Sequence, residues 1–498
     1  MRRRLPEGWA LETGDLGAPV TAPWLELRLR LQTITPVIGG GVLGLDRDEN
    51  PEVRVSGIRG HLRHWWRIAA LGRGVEWEDL LPLERAIWGG VGDSPEETFA
   101  SKVRVETEVE EPGRLVAPGT HTRSKWGDGL KSMPDWSVGQ ELAYALFPLQ
   151  RNDGERRQAV EHGAESLETA RYRENARFAL RLRIARDPGE QRREQSPADP
   201  SAPGDVASST LEALWLWMLF GGIGGRTSRG FGALAPVEAP GVTCSGDPSL
   251  AEEWGARLAA APVRETTARL GQGLPPVQEG PRSTSLFVGP EHTDAREAHR
   301  MLVGALREFR QAAGVGRERK PNERWPEGPS HWPEPDLLRI LAEEAHVVRR
   351  GWQWEHDPRG DVRKAHESER KRAIHRAAFG LPIQFTFKTS RDKRNDAAAN
   401  CTAGVGTNQA RFPSPLRLRI VACTGGRYLP VALLLPFRPE DVTLRFDRGG
   451  KVDDLASSNG AKGARDPIAA ALREAKGDAA LAFCNRLVSK RGFREVRT

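Results

Sequence analysis

Cysteine is scarce in this sequence: Cys244, Cys401, Cys423 and Cys484 are all that its 498 residues contain. They lie far apart and form no C-x-x-C pair, so neither a disulfide framework nor a zinc ribbon is expected. Long apolar runs are missing too. The longest, Ala213 to Phe220 with Glu212 before it, falls far short of the roughly 18 residues that a membrane span needs. The start, M-R-R-R-L-P-E, carries charge with no apolar core behind it, so no signal peptide is expected. Metal-ligand spacings and cofactor motifs are lacking, and neither a metal nor a cofactor is expected. On these grounds a soluble, cytoplasmic protein is expected.

What is present is length and positive charge. The chain is long enough for two or three domains with sizeable cores. Its net charge is +7 and its pI about 9.4, a balance that favours a polyanionic partner. Most basic residues are Arg, and Ala, Gly and Pro abound, a bias that a GC-rich genome also produces. Where the arginines sit therefore matters more than how many there are.

The stretch around which the chain is organised runs from Leu214 to Ala233, L-W-L-W-M-L-F-G-G-I-G-G-R-T-S-R-G-F-G-A. A dense apolar helix enters a glycine loop and a short strand leaves it. Gly222, Gly224, Gly225, Gly230 and Gly232 suit sharp turns or close backbone approach. Arg226 and Arg229 add charge, and Thr227 and Ser228 add hydroxyls. Bare amides beside guanidinium groups suit a phosphate backbone.

Upstream, Trp24 to Thr35 alternates Leu25, Leu27, Leu29 and Leu31 with polar residues and reads as a half-buried strand. Gly39, Gly40 and Gly41 open a loop that continues through Asp46, Asp48, Glu49 and Glu52. A helix follows, with Ser56 as N-cap and Ile58, Leu62, Trp65, Trp66 and Ala69 as its apolar face. Arg59, Arg63 and Arg67 fall four apart on one stripe, with His61 and His64 beside it. The stripe reads either as a solvated face or as an RNA contact, and its place after a glycine loop favours contact.

Lys102 to Glu110 and Phe178 to Ile184 alternate as strands, whereas Pro112 to Gly139 reads as loop and Asp187 to Asp205 as an insertion. Ser209 is expected to cap the apolar helix, with Glu212 completing a capping box. Phe231 to Val237 gives the last strand. Strand, helix, strand, strand, helix, strand is the ferredoxin-like plan. The expected class is α+β, with an N-terminal domain over 20–240, a linker over 241–280 and a second, degenerate copy over 281–498. That second part offers a strand at S-L-F-V, a helix at Asp294 to Ala313 and strands at Ile383 to Phe387, Leu416 to Val421 and Tyr428 to Leu435. Helices at Asp336 to Arg350 and Asp361 to Phe379 are also expected, as is a closing helix over Pro467 to Lys490. The segment Lys388 to Arg411 reads as a loop. Its Arg391, Lys393, Arg394 and Arg411 belong either to a binding surface or to a plain surface loop.

With these residues in view, the sequence resembles the RAMP superfamily of CRISPR proteins. Within it, the sequence is similar to the first-numbered subunit of the type III-B Cmr effector complex. The match rests on T-P-V-I-G-G-G at Thr35 to Gly41 with I-R-G-H-L-R-H-W-W-R at Ile58 to Arg67, and on the glycine loop Gly222 to Gly232. It rests also on G-L-P-I-Q-F at Gly380 to Phe385, R-F-P-S-P-L at Arg411 to Leu416 and the following L-P-V-A-L-L-L. The resemblance implies two RAMP modules of ferredoxin-like fold, assembly at the end of a ribonucleoprotein filament beside other RAMP subunits, and contact with guide or target RNA. It also implies that this subunit is not itself the slicer.

Two functions are therefore weighed. An RNA-binding structural subunit would use Gly39, Gly40, Gly41, Arg59, Arg63, Arg67, Gly222, Gly224, Arg226, Ser228, Arg229 and Gly230 with the basic second loop. An endoribonuclease would need His61 or His64 to take a 2′-hydroxyl proton, or Asp46 or Asp48 in a metal-assisted version. The first is preferred and no catalytic residue is expected. A third role, an apolar Leu214 to Phe220 helix packed on a neighbour, overlaps with the first.

Overall fold

The computed structural model describes residues 24–39, 53–72, 75–91, 98–125, 127–185, 206–237, 241–244, 285–312, 314–317, 330–332, 334, 375–380, 383–388, 395–405, 408–410, 414–423, 425–435, 443–446, 451–452 and 467–496. The expected insertion over 187–205 and the expected helix at 336–350 lie outside these residues. So do Gly40, Gly41, Asp46, Asp48, Arg391, Lys393, Arg394 and Arg411. The described fold mixes helix and sheet.

The first unit comprises β1 (Trp24–Thr33), α1 (Val55–Gly72), α2 (Trp77–Trp88), β2 (Val103–Glu111), α3 (Gln140–Leu146), α4 (Asp153–Glu161), β3 (Arg177–Ala185), α5 (Val206–Phe220), β4 (Leu234–Pro236) and β5 (Gly241–Cys244). Its sheet runs β4–β1–β3–β2, with β5 also paired to β1. Register is set by alternation. Leu25, Leu27, Leu29 and Leu31 face Ile184, Leu182, Leu180 and Phe178 across β1 and β3, and all are buried. On that face lie Ile58, Leu62, Trp65, Trp66 and Ala69 of α1 and Leu211, Leu214 and Trp217 of α5. The opposite face of the sheet carries crossed ion pairs: Arg30 to Glu110, Arg177 to Glu111, and Arg181 and Arg183 to Glu26.

The second unit is β6 (Ser285–Val288), α6 (Ala295–Gln311), β7 (Leu416–Cys423), β8 (Arg427–Leu434), α7 (Ile468–Glu474), α8 (Ala479–Arg491) and β9 (Arg494–Val496), with sheet order β7–β8–β6–β9. In both units the first strand lies between the third and the last, and the second strand is outermost beside the third. One face of the second sheet, with Phe287, Leu416, Leu418, Ile420 and Ala432, packs on Leu302, Leu306, Phe309, Leu472 and Phe483 of its own helices. The other face, with Leu286, Val288, Val431 and Leu433, joins the core of the first unit. The second sheet is therefore covered on both sides.

Several expectations are corrected. α5 starts at Val206, so Ser209 lies in its first turn, where its hydroxyl donates to the Val206 carbonyl rather than capping the helix. Ser56 likewise lies inside α1, which starts at Val55. The stretch expected as loop over 112–139 holds strands Arg114–Val116, Gly119–Thr122 and Asp135–Trp136, and the one over 388–411 holds Asn395–Val405 and Asn408–Ala410. Short strands with little apolar alternation have no period-two signal to read. β5 pairs Gly241 to Cys244 with Arg28 to Leu25, so the first unit runs past residue 240. The closing helix is two, broken at Lys476 and Gly477, both at positive φ.

Candidate nucleic-acid interface

The glycine loop is walled in rather than bare. On one side it pairs with the segment after β1. The Gly225 amide donates to the Ile38 carbonyl (2.5 Å) and the Gly232 amide to that of Pro36 (2.8 Å). Thr35 Oγ1 donates to the Gly230 carbonyl (2.7 Å) and accepts from the Ala233 amide (2.8 Å). On the other side it meets the second unit, where the Leu418 amide donates to the Ser228 carbonyl at 3.1 Å and His299 Nε2–H donates to the Arg229 carbonyl at 2.9 Å. Inside the loop the Ile223, Arg229 and Gly230 amides also donate to backbone carbonyls. The expectation of free amides for phosphate is thus corrected at residues 223, 225, 229, 230 and 232.

Two glycines show why the loop has this composition. A Cβ on Gly232, at φ +62°, would lie 1.9 Å from the Ile223 carbonyl oxygen. One on Gly224, at φ +75°, would lie 2.6 Å from that of Ile38. Only glycine lets these strands close at such a turn. Gly39 is buried at the mouth of the same crossing.

The arginines divide into two groups. Arg229 is 8% exposed and its Nη2 donates to the Phe379 carbonyl (2.7 Å), which ties the loop to the second unit. Burial, aided by Arg310 and Arg226, draws this guanidinium down to about 9. Arg417 and Arg419 of β7 point to the face that packs on the first unit. Arg419 is fully buried with Nη2 on the Met218 carbonyl (3.2 Å), and burial alone draws it down to about 9. Arg417 donates to His64 Nε2 at 3.3 Å. The alternation L-R-L-R-I in β7 announces two arginines on one face, but not that this face is internal.

Arg226 differs. It adopts φ +56°, a left-handed conformation that few side chains accept. Its guanidinium lies 4.6 Å from the centre of the Phe147 ring. Phe147 is 54% exposed. It starts the 3-10 turn Phe147–Leu149 after α3, a residue that the sequence reading passed over. Ser228 and Thr227 are half-buried beside Arg226.

The stripe on α1 serves α2, which the sequence reading also passed over. Arg63 Nε and Arg67 Nε each reach Glu84 at 2.5 Å, and Arg59 donates to the Trp88 carbonyl. Glu84 is 1% exposed. Burial raises its pKa, but the hydrogen bonds from Arg67 and Arg63 outweigh this and hold the carboxyl below its usual range. His61 and His64 sit at the seam between the units. Burial, with Arg417 next in weight, lowers both to about 4.

Among the described residues no helix is long and apolar enough to cross a membrane. No curated protein matches the chain. Solved structures that it resembles include Cmr1 from Pyrococcus furiosus in its apo form, at 14% identity and TM-score 0.37, covering 85% of this chain and 94% of that one. A chain of the type III-B Cmr-beta complex bound to cognate target RNA and AMPPnP in the presence of ssDNA matches at 13% identity and TM-score 0.41, over 93% and 99%. A chain of Cmr-beta bound to cognate target RNA matches at 11% and 0.40, over 92% and 99%. The RAMP superfamily model matches residues 30–235 of this chain, from β1 through the glycine loop to β4.

Proposed function

We propose that this protein is an RNA-binding, non-catalytic structural subunit of a type III-B CRISPR (Cmr) ribonucleoprotein effector. It works in the cytoplasm, caps one end of a filament of RAMP subunits and contacts guide or target RNA. Its two units are read as tandem ferredoxin-like domains, because both place their four main strands in the same order. The observation that carries the reading is the RAMP match over residues 30–235, which contains the whole glycine loop.

Within that loop the RNA contact falls to Arg226 with Thr227 and Ser228, since Arg229 faces inward. A guanidinium beside an exposed aromatic ring contributes a phosphate contact and a term in the salt dependence. The non-catalytic reading draws support from the histidines. A base near pKa 4 is far from the pH of the cell, and the Nε2 lone pair of His64 is already held by Arg417.

The test is a fluorescence anisotropy titration of the full chain with single-stranded RNA across a range of salt. Arg226→Ala is expected to weaken binding and to reduce the slope of log affinity against log salt by about one. Unchanged affinity and slope would overturn the assignment of Arg226, and absence of binding by the unaltered chain would overturn the RNA-binding reading.

A further inference from the structure

We infer that Phe147 is a stacking platform for one unpaired base, with Arg226 covering one side of its ring and the nucleobase taking the other. This rests on the RNA-binding reading above and names a subsite within it.

Three observations meet at this point. The first is exposure. Phe147 is 54% exposed although Arg226 already lies over it at 4.6 Å, so much of the ring still faces solvent. Large aromatic side chains are normally placed to bury their area.

The second is rigidity. Leu146, which precedes the turn, and Leu149, which ends it, are 0% and 1% exposed. Both belong to the cluster that joins α3 to Ile38, Phe231 and Val303. The Leu149 carbonyl also accepts the Ala170 amide at 2.8 Å. Pro148 lies in the turn itself. With both leucines anchored inward, the turn holds Phe147 outward. A stiff, outward aromatic loses little freedom when a planar ligand stacks on it.

The third is the strained backbone of Arg226 at φ +56°. A non-glycine residue in this region costs about 1–3 kcal/mol and persists only where its surroundings fix it. Here the turn closed by the Arg229 amide on the Arg226 carbonyl (2.8 Å) and the Gly230 amide on that of Thr227 (3.1 Å) holds it, and the result is a guanidinium set over the ring.

The chemistry recognised is a single-stranded nucleic acid. Every base has a π-face, so an aromatic platform is tolerant of sequence, and a guanidinium beside it reaches the adjoining phosphate. A duplex, with its bases already stacked on each other, offers no face to Phe147.

The experiment compares two labelled probes of equal length, a single-stranded oligoribonucleotide and an abasic ribose-phosphate strand, binding to the full chain. Phe147→Ala is expected to weaken binding of the base-containing strand roughly ten- to a hundredfold while leaving the abasic strand unchanged. Phe147→Trp should retain the affinity for the base-containing strand, and Arg226→Ala should weaken both. If Phe147→Ala binds both strands as the unaltered chain does, or weakens both equally, the platform is overturned and the RNA-binding reading stands. If the unaltered chain binds neither strand, both readings fall.

Discussion

The Ser228 carbonyl accepts the Leu418 amide at 3.1 Å, and on this contact the glycine loop of the first unit becomes a neighbour of the outermost strand of the second. The loop thus has an inner and an outer role. Its backbone and Arg229 bind the two units together, while Arg226 lies over the exposed Phe147 ring.

Arg229 is accordingly expected to matter for stability more than for salt-dependent binding. Arg229→Ala removes the bond to Phe379 and leaves a void, and a loss of about 2 kcal/mol is expected in urea unfolding. Arg229→Met, which fills the space without burying a charge, should lose less than half as much. Equal losses in the two variants would contradict a buried, packing role.

Glycines in helix and loop should respond with opposite signs. Gly60 lies in α1 with nothing within 4 Å of an added Cβ, so Gly60→Ala is expected to stabilise by up to about 1 kcal/mol. Gly232→Ala must push its Cβ against the Ile223 carbonyl at positive φ and should destabilise by at least about 2 kcal/mol. Thermal melts of the two variants check the pair. Stabilisation by Gly232→Ala would be incompatible with the loop described.

Glu84 holds two arginines of α1 against α2. Glu84→Gln keeps the shape but removes the charge facing Arg63 and Arg67, and a loss of about 1–3 kcal/mol is expected by chemical denaturation. Arg63→Ala should lower stability without changing the salt slope of RNA binding. A reduced slope in that variant would return the stripe to the RNA surface.

Stability should fall in mild acid. His61, His64 and His299 are each lowered to about 4, chiefly by burial. They are neutral in the folded chain, whereas unfolded histidine gains a proton near pH 6.5. The stabilisation is complete above pH 6.5 and is lost as pH falls from there towards 4. His299 is fully buried with Nδ1 lacking a partner, so His299→Gln should flatten the decline by up to about 1.4 kcal/mol per pH unit. Urea midpoints measured between pH 7 and 4.5 decide it, and a flat profile over that range would show that these rings are not held neutral.

The sequence by itself determined the strands whose side chains alternate and the helices with an apolar stripe. β1, β3 and β7 could be read from their own spacing, because a buried face imposes a period of two on the residues that make it. It determined the glycine loop as well, since backbone that passes within touching distance of backbone leaves no room for a Cβ. Only the tertiary structure decided what the charges do. Arg59, Arg63 and Arg67 have the spacing of a solvent-facing stripe, yet two of them meet on Glu84 of a helix that the stripe cannot announce. Arg226 and Arg229 are three residues apart in one loop, and one lies beside an exposed phenylalanine while the other is sealed between the units. Local pattern fixes which face a residue takes. Whether that face meets water, a carboxylate or another sheet depends on contacts between segments far apart in the chain, as with Ser228 and Leu418.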